Sequence, residues 1–153
     1  MANTYSQISI QIVFAVKGRE NLLRSEFRAE LFKYISGIIE GKGQVSLAVN
    51  GWQDHVHAFF GMEPSACISD LAAAIKSNSS KWINEKGFVK GKFQWQEGYG
   101  AFSYSRSQRD NVIKYIMNQE THHAKKTFRE EYLEMLRKAE IDYDDKYVFE
   151  FYD

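Results

Sequence analysis

His55 and His57 are the residues of this 153-residue chain whose types and spacing first suggest chemistry. They stand in Asp54-His55-Val56-His57-Ala58-Phe59-Phe60, a run that reads as a buried β-strand. Side chains at i and i+2 of a strand share a face, so the two imidazoles lie side by side and their ring nitrogens can converge on one ion. Val56 and Ala58 then point into the other layer. Burying two imidazoles without partners is unfavourable. The pair is therefore either hydrogen-bonded at a strand edge or the holder of a metal ion or a phosphate.

A second set lies well downstream, in Asn111-Val112-Ile113-Lys114-Tyr115-Ile116-Met117-Asn118-Gln119. Tyr115 and Gln119 are i and i+4 and share a helix face. Asn111, Asn118 and His122 flank that stripe, and residues 112, 113, 116 and 117 supply the apolar side. Read alone, the stripe is more simply an interfacial tyrosine with solvated amides. Taken with the histidines, the residue types fit one reaction. Two neutral imidazoles and a side-chain carbonyl oxygen form an incomplete coordination shell, with room for water and phosphate oxygens. Tyrosine, with a reference pKa of about 10, is a poor nucleophile until something helps it deprotonate. A divalent cation that polarises a phosphodiester would let a phenolate attack phosphorus and form a phosphotyrosine. The sequence carries no Ser-His-Asp set or P-loop to compete, and the lone Cys67 has no assigned base and reads as structural.

The elements that must position these residues follow from periodicity. Residues 6–17 alternate, with Ile8, Ile10, Ile12, Phe14 and Val16 on one face and Gln7, Ser9 and Gln11 on the other, which predicts a strand. Ser25 is a plausible N-cap for a helix to about Gly41, carrying Phe27, Leu31, Ile35, Ile38 and Ile39. Gln44 to Val49 reads as a second strand, Asn50-Gly51 as a hairpin turn, and the histidine run as the third strand, ending near Pro64. Ile68, Leu71, Ala72, Ile75, Trp82 and Ile83 trace a second helix. Phe93 to Tyr104 reads as one long fourth strand, with Gly98 and Gly100 marking a bulge. The tyrosine helix is expected over about 107–123. Thr127 with Glu130 is a capping-box signature for a last helix to about Ala139. The order β-α-β-β-α-β is the α+β, ferredoxin-like arrangement: an antiparallel four-stranded sheet with two helices on one face, here with further C-terminal helices appended.

Length points to a single domain, residues 1–153, with an acidic C-terminal extension at about 127–153 whose final segment, residues 141–153, looks like an arm for packing on something, such as a partner subunit. The apolar runs are too short for a membrane span, and the N-terminus lacks signal-peptide features. With one cysteine, a cytoplasmic setting is expected. The formal net charge is zero, from 20 Lys+Arg and 20 Asp+Glu, yet the distribution is uneven. Residues 120–153 hold six basic and ten acidic side chains, a net of −4, which leaves +4 elsewhere. Lys76, Lys81, Lys86, Lys90 and Lys92, with Arg106 and Arg109 near the tyrosine helix, are candidate phosphate contacts. Exposed aromatics could add base stacking of about 1–3 kcal/mol each. The bland alternative is a solvated lysine-rich loop.

Three motifs together carry a resemblance. His55-Val56-His57 with its aromatic pair, then Trp95-Gln-x-Gly98-Tyr-Gly100-Ala-Phe102-Ser103, then Tyr115-Ile-x-Asn-Gln119, resemble the single-tyrosine HUH transposases of the insertion-sequence 200/605 group (TnpA-type) over roughly residues 5–125. His122-His123, Thr127-Phe128-x-Glu130-Glu131 and Tyr143-Asp144-x-x-Tyr147 look like one branch of that family. The resemblance implies that His55, His57 and Gln119 hold Mg2+ or Mn2+. Tyr115 would then cut single-stranded DNA, leaving a 5′-phosphotyrosine and a free 3′-hydroxyl. It also implies recognition of DNA hairpins at the ends of an insertion sequence, and a homodimer in which the tyrosine helix can complete the partner's histidine site. Such an enzyme would associate with the nucleoid when acting. Two alternatives keep part of this reading: a domesticated relative acting on dispersed chromosomal hairpins, and a non-catalytic nucleic-acid-binding ferredoxin-like module. A metal phosphoesterase with no covalent adduct is a third. His122 and His123 fall about two turns beyond Tyr115, where His122 could reach the site as a proton carrier or instead serve as a surface or capping residue.

Overall fold

A computed structural model describes residues 4–143. The sheet is built around β1 (Ser9–Ala15), every residue of which is buried. β1 lies between β3 (His55–Gly61) and β4 (Gly100–Tyr104), and β2 (Val45–Gly51) pairs with β3, giving the order β2-β3-β1-β4 with all pairs antiparallel. α1 (Ser25–Gly41) and α2 (Ile68–Lys86) cover one face. The β-α-β-β-α-β expectation is met.

Alternation along β1 decides what each face holds. Ile10, Ile12, Phe14 and Val16 point towards α1 and α2, where they meet Phe27, Leu31, Ile35 and Ile39 of α1 and Leu71, Ala72, Ile75 and Ile83 of α2. Each of these Val, Leu, Ile and Phe side chains contributes about 1.5–3 kcal/mol on full burial, and this is the main core. Val13 and Ala15 point the other way. On that second face α3 (Arg109–Met117) packs Val112 and Ile116 on Ala48 and Phe59, and α5 (Phe128–Lys138) packs Phe128, Tyr132 and Leu136 on Val13, Ala15 and Phe102. A short α4 (Gln119–His123) joins them. The appended C-terminal helices thus form a second layer, and the sheet is covered on both sides.

The sequence expectations differ from the structure in four places. Ser25 is the first helical residue, and the N-cap is Arg24. Asn50-Gly51 belongs to β2 rather than to the turn, because the chain reverses over residues 52–54, closed by Trp52 N–H donating to the His55 carbonyl at 3.1 Å. Gly51 is required there: a Cβ would sit 2.2 Å from that carbonyl oxygen. The long fourth strand shrinks to Gly100–Tyr104, leaving Trp95 in a single bridge to Val16. The carbonyls of Gln96 and Gly98 go instead to the Lys76 ammonium, at 2.8 and 2.9 Å, and Gly98 takes φ +88°. The expected helix over 107–123 breaks at Asn118 into α3 and α4, preceded by a 3-10 turn, Arg106–Gln108. The Thr127 cap is present, its hydroxyl accepting from Glu130 N–H at 3.1 Å. Of the acidic arm, residues 144–153 lie outside the described residues.

Candidate functional site

Strand register places both histidines on the second face. His57 stands opposite Val13 and His55 opposite Ala15, so the rings project beneath α3, α4 and α5, and neither is exposed to solvent. Each ring is oriented through Nδ1. Asp54 accepts from His55 at 2.8 Å, and Gln11 Oε1 accepts from His57 at 2.7 Å. Gln11 in turn donates from Nε2 to the Tyr104 hydroxyl at 2.9 Å. A ring fixed in this way presents Nε2 inwards, the arrangement by which outer partners orient metal-binding imidazoles.

The inward nitrogens meet at Glu131, on α5. Its Oε1 lies 3.1 Å from His57 Nε2, 3.4 Å from His55 Nε2 and 3.3 Å from His123 Nε2. Its Oε2 accepts from the Tyr115 hydroxyl and, at 3.0 Å, from Gln119 Nε2. Gln119 Oε1 lies 3.0 Å from His55 Nε2 and 3.1 Å from His123 Nε2. Phe128, one turn before Glu131, stacks on the His55 ring at 4.0 Å between centroids. His55, His57, Tyr115 and Gln119, widely separated in sequence, are therefore brought together within one chain. The Tyr115 and His57 rings lie 6.0 Å apart.

Protonation within this cluster is strongly biased. Burial works against a charge on His55, but its hydrogen bonds to Asp54 and Glu131 outweigh that and raise its pKa to about 9. Burial dominates at His57 and pushes it below its ordinary value, against the pull of Glu131. Burial opposes the charge on Glu131 as well, yet His57, His123 and His55 together hold its carboxyl far below the usual range. Tyr115 is raised well above its ordinary pKa, first by burial and then by the Glu131 charge.

This donor set fits a divalent cation. His57 has acceptors at both ring nitrogens, Gln11 Oε1 at Nδ1 and Glu131 Oε1 at Nε2, while burial favours its neutral form. A neutral imidazole has one N–H, so one of these contacts sets two lone pairs face to face. A cation between Nε2 and Oε1 would relieve that conflict. One ligand atom from each of His55, His57 and Glu131 lies within 4.8 Å of the others, and all three are buried. Imidazole nitrogens with a carboxylate suit first-row divalent metals.

A groove of about 920 Å³ leads to this cluster, lined by Gln11, Tyr104, Tyr115, His123, Glu131 and Lys138 among others. At its rim Glu134 pairs with Lys126 and Lys138, whose charges bring its carboxyl down to about 2.

The basic residues do not join the site. Lys76, Lys81 and Lys92, with Lys17, line a separate groove of about 720 Å³ between α2 and residues 92–97. Lys86 ends α2 and Lys90 is exposed in the loop after it. Arg106 and Arg109 stand at the start of the tyrosine helix, on the opposite face of the sheet.

Sequence reasoning missed three members of the cluster. Gln11 was read as an outward polar residue of β1. Glu131 sat beside Glu130, which the capping motif singled out. His123 joins the site one turn beyond Gln119.

The profile of the family described as Transposase IS200 like matches residues 4–119. A search of curated proteins finds no match. Among solved structures, the chain is similar to a candidate transposase from Deinococcus radiodurans R1, with 23% identity and a TM-score of 0.64, over 78% of this chain and 95% of that one. It is also similar to a REP-associated tyrosine transposase bound to a REP hairpin, with 13% identity and a TM-score of 0.57, over 80% of this chain and 73% of that one. Both likenesses concern the fold. The family profile, which spans the histidine strand and ends on Gln119, carries the assignment: this chain belongs to the IS200-like transposase family.

Proposed function

We propose that the protein cleaves and rejoins single-stranded DNA at hairpin-marked ends, with Tyr115 as the nucleophile and a 5′-phosphotyrosine as the intermediate. The observation that carries this reading is the convergence of Tyr115, Gln119, His55 and His57 on the Glu131 carboxylate. There a tyrosine hydroxyl, an amide N–H and imidazoles already meet one anion together. His55, His57 and Glu131 would hold a divalent ion, with Gln119 offering its side-chain oxygen. Such an ion would supply Lewis-acid polarisation of the phosphate.

The chain's own residues do the rest. Asp54 and Gln11 keep the imidazoles aimed inwards. In attack, Tyr115 gives up its phenolic proton, its oxygen forms a bond to phosphorus, the P–O3′ bond breaks, and the departing 3′-oxygen takes up a proton in turn, so that none is gained or lost overall. Rejoining reverses this with another 3′-hydroxyl. The groove beside Tyr115 offers the strand a path, and the Lys17, Lys76, Lys81 and Lys92 groove is proposed to bind hairpin phosphates, with Arg106 and Arg109 holding the strand near the tyrosine helix. The hairpin bound to the REP-associated neighbour supports this ligand class. Whether the hairpins belong to a mobile element or are dispersed in a chromosome is read from the DNA flanking the gene.

Mg2+ and Mn2+ are both proposed to serve, and the imidazoles favour Mn2+. Assembly as a homodimer is implied by the family, although all the site residues named here come from one chain. Among the described residues no helix is long and apolar enough to cross a membrane.

The test is incubation with a labelled hairpin oligonucleotide and Mn2+. A covalent protein–DNA adduct is expected, lost in Tyr115→Phe and in His57→Ala while hairpin binding persists. Turnover without an adduct would indicate a phosphoesterase, and binding without cleavage in Mn2+ or Mg2+ a non-catalytic module.

A further inference from the structure

α3 and α4 lay out Tyr115, Gln119 and His123 at successive intervals of four residues, so that all three face β3. The third has no role in the reading above, yet its geometry matches that of the paired histidines. The His123 side chain is 4% exposed. Its Nε2 faces Gln119 Oε1 at 3.1 Å and Glu131 Oε1 at 3.3 Å. Its ring lies 4.7 Å from that of His55. Three imidazole Nε2 atoms, from His55, His57 and His123, thus surround one carboxylate oxygen at 3.1–3.4 Å. Acceptors predominate around that point, since both neighbours of His123 Nε2 are oxygens that can only accept. A ring needed merely to prop up a helix has no reason to aim its nitrogen at the same oxygen as two other histidines.

We infer that His123 supplies a third imidazole to the divalent ion, a step that rests on the reading of His55 and His57 as metal ligands. The consequence is selectivity. Mg2+ favours hard oxygen ligands and keeps its waters, whereas each added imidazole favours Mn2+, Co2+ and Zn2+ in the order of increasing affinity for nitrogen donors. Three imidazoles and a carboxylate therefore make a site for a borderline transition metal, with Mg2+ a weak competitor.

The experiment titrates Co2+ into chelator-treated full-length protein, following its visible absorption, then competes it with Mn2+ and Mg2+. The wild type is expected to bind Co2+ and to release it to Mn2+ far more readily than to Mg2+. His123→Ala should weaken Co2+ by about tenfold or more while changing Mg2+ affinity by less than about twofold. His123→Gln separates a ligand from a prop: it restores an N–H donor towards Gln119 but no imidazole, so it should bind Co2+ as weakly as His123→Ala. Thermal melting of each variant establishes that it is folded. Wild-type Co2+ affinity in His123→Ala or His123→Gln would overturn the inference, and so would an equal loss of Co2+ and Mg2+. His57→Ala keeps the two levels apart. If it abolishes Co2+ binding while the His123 variants do not, the metal site stands and this inference falls. If the wild type binds no Co2+, the metal reading itself fails.

Discussion

The Tyr115 hydroxyl donates to Oε2 of Glu131, while the other oxygen of that carboxylate faces three imidazoles. The candidate nucleophile and the candidate metal ligands are therefore coupled through one side chain. An anion beside a phenol makes its ionisation harder, and burial adds to this, so Tyr115 is held protonated. Offsetting the Glu131 charge is what would free it. A cation at the histidines would offset it.

Glu131→Gln tests the structural side of this coupling. It keeps the shape but removes the charge that His55 faces and one acceptor of the cluster. The expected loss in the metal-free protein is about 1–3 kcal/mol, read as a lower urea midpoint at unchanged slope. Unchanged or increased stability would show that Glu131 is not what seats α5 on the sheet.

The pH dependence of the metal-free protein follows from the shifts of His55, Glu131 and His57. The folded-state pKa of His55 is raised from 6.5 to about 9, so its contribution is fully present below pH 6.5 and is lost as pH rises through 9. The pKa of Glu131 is depressed from its ordinary 4.5, so its contribution is present above that value and fades on acidification. The lowered pKa of His57 acts the other way from that of His55, its contribution being present above 6.5 and fading on acidification, so melting temperatures in chelator should be highest near pH 6.5 and fall towards pH 9. Saturating Mn2+ should remove the alkaline fall, because metal binding displaces the proton. An alkaline fall of equal size in Mn2+ would count against metal at His55.

Where the sequence was legible and where it was not have physical causes. Strand alternation placed His55 and His57 on one face, and i,i+4 spacing placed Tyr115 beside Gln119, because both are local rules of backbone geometry. The ferredoxin-like order was readable for the same reason. Gln11 and Glu131 were not, because each becomes a site residue only through a tertiary contact. Gln11 looks solvated on a strand with one apolar face, until α5 and α3 cover the other face. Glu131 looks like half of an exposed acidic pair, until Phe128 docks on His55. The break at Asn118 was equally hidden, since nothing in the helical pattern of 107–123 demands a kink.

Phe128→Ala probes that docking. Phe128 is 2% exposed and stacks nearly parallel on His55, at 4.0 Å and 8°. Truncation removes a buried ring and leaves a cavity, at a cost of about 3–5 kcal/mol. Because α5 is joined to the sheet mainly by Phe128, Tyr132 and Leu136, the loss should be local. Amide exchange over 128–138 is expected to accelerate while β1 and β3 stay protected. Uniform acceleration across the sheet would mean that α5 is part of the main cooperative core.

Asn50→Ala probes how the tyrosine is held. The last carbonyls of a helix lack intrahelical partners, and Asn50 Nδ2 on β2 donates to those of Ile116 and Met117, at 2.9 and 3.3 Å. The residues so clamped directly follow Tyr115, so the bond ties the end of α3 to the sheet that carries the histidines. Its removal should cost about 1 kcal/mol of stability. If Tyr115 is the nucleophile, a small displacement of its oxygen should matter more to attack than to binding. The expected result is a single-turnover rate of adduct formation reduced by about tenfold or more with hairpin affinity unchanged. Asn50→Asp should be slower still, because a carboxylate faces two carbonyls and cannot donate. Wild-type cleavage rates in both variants would show that Asn50 does not set the position of Tyr115, and equal losses in binding and rate would point to a general disturbance of β2.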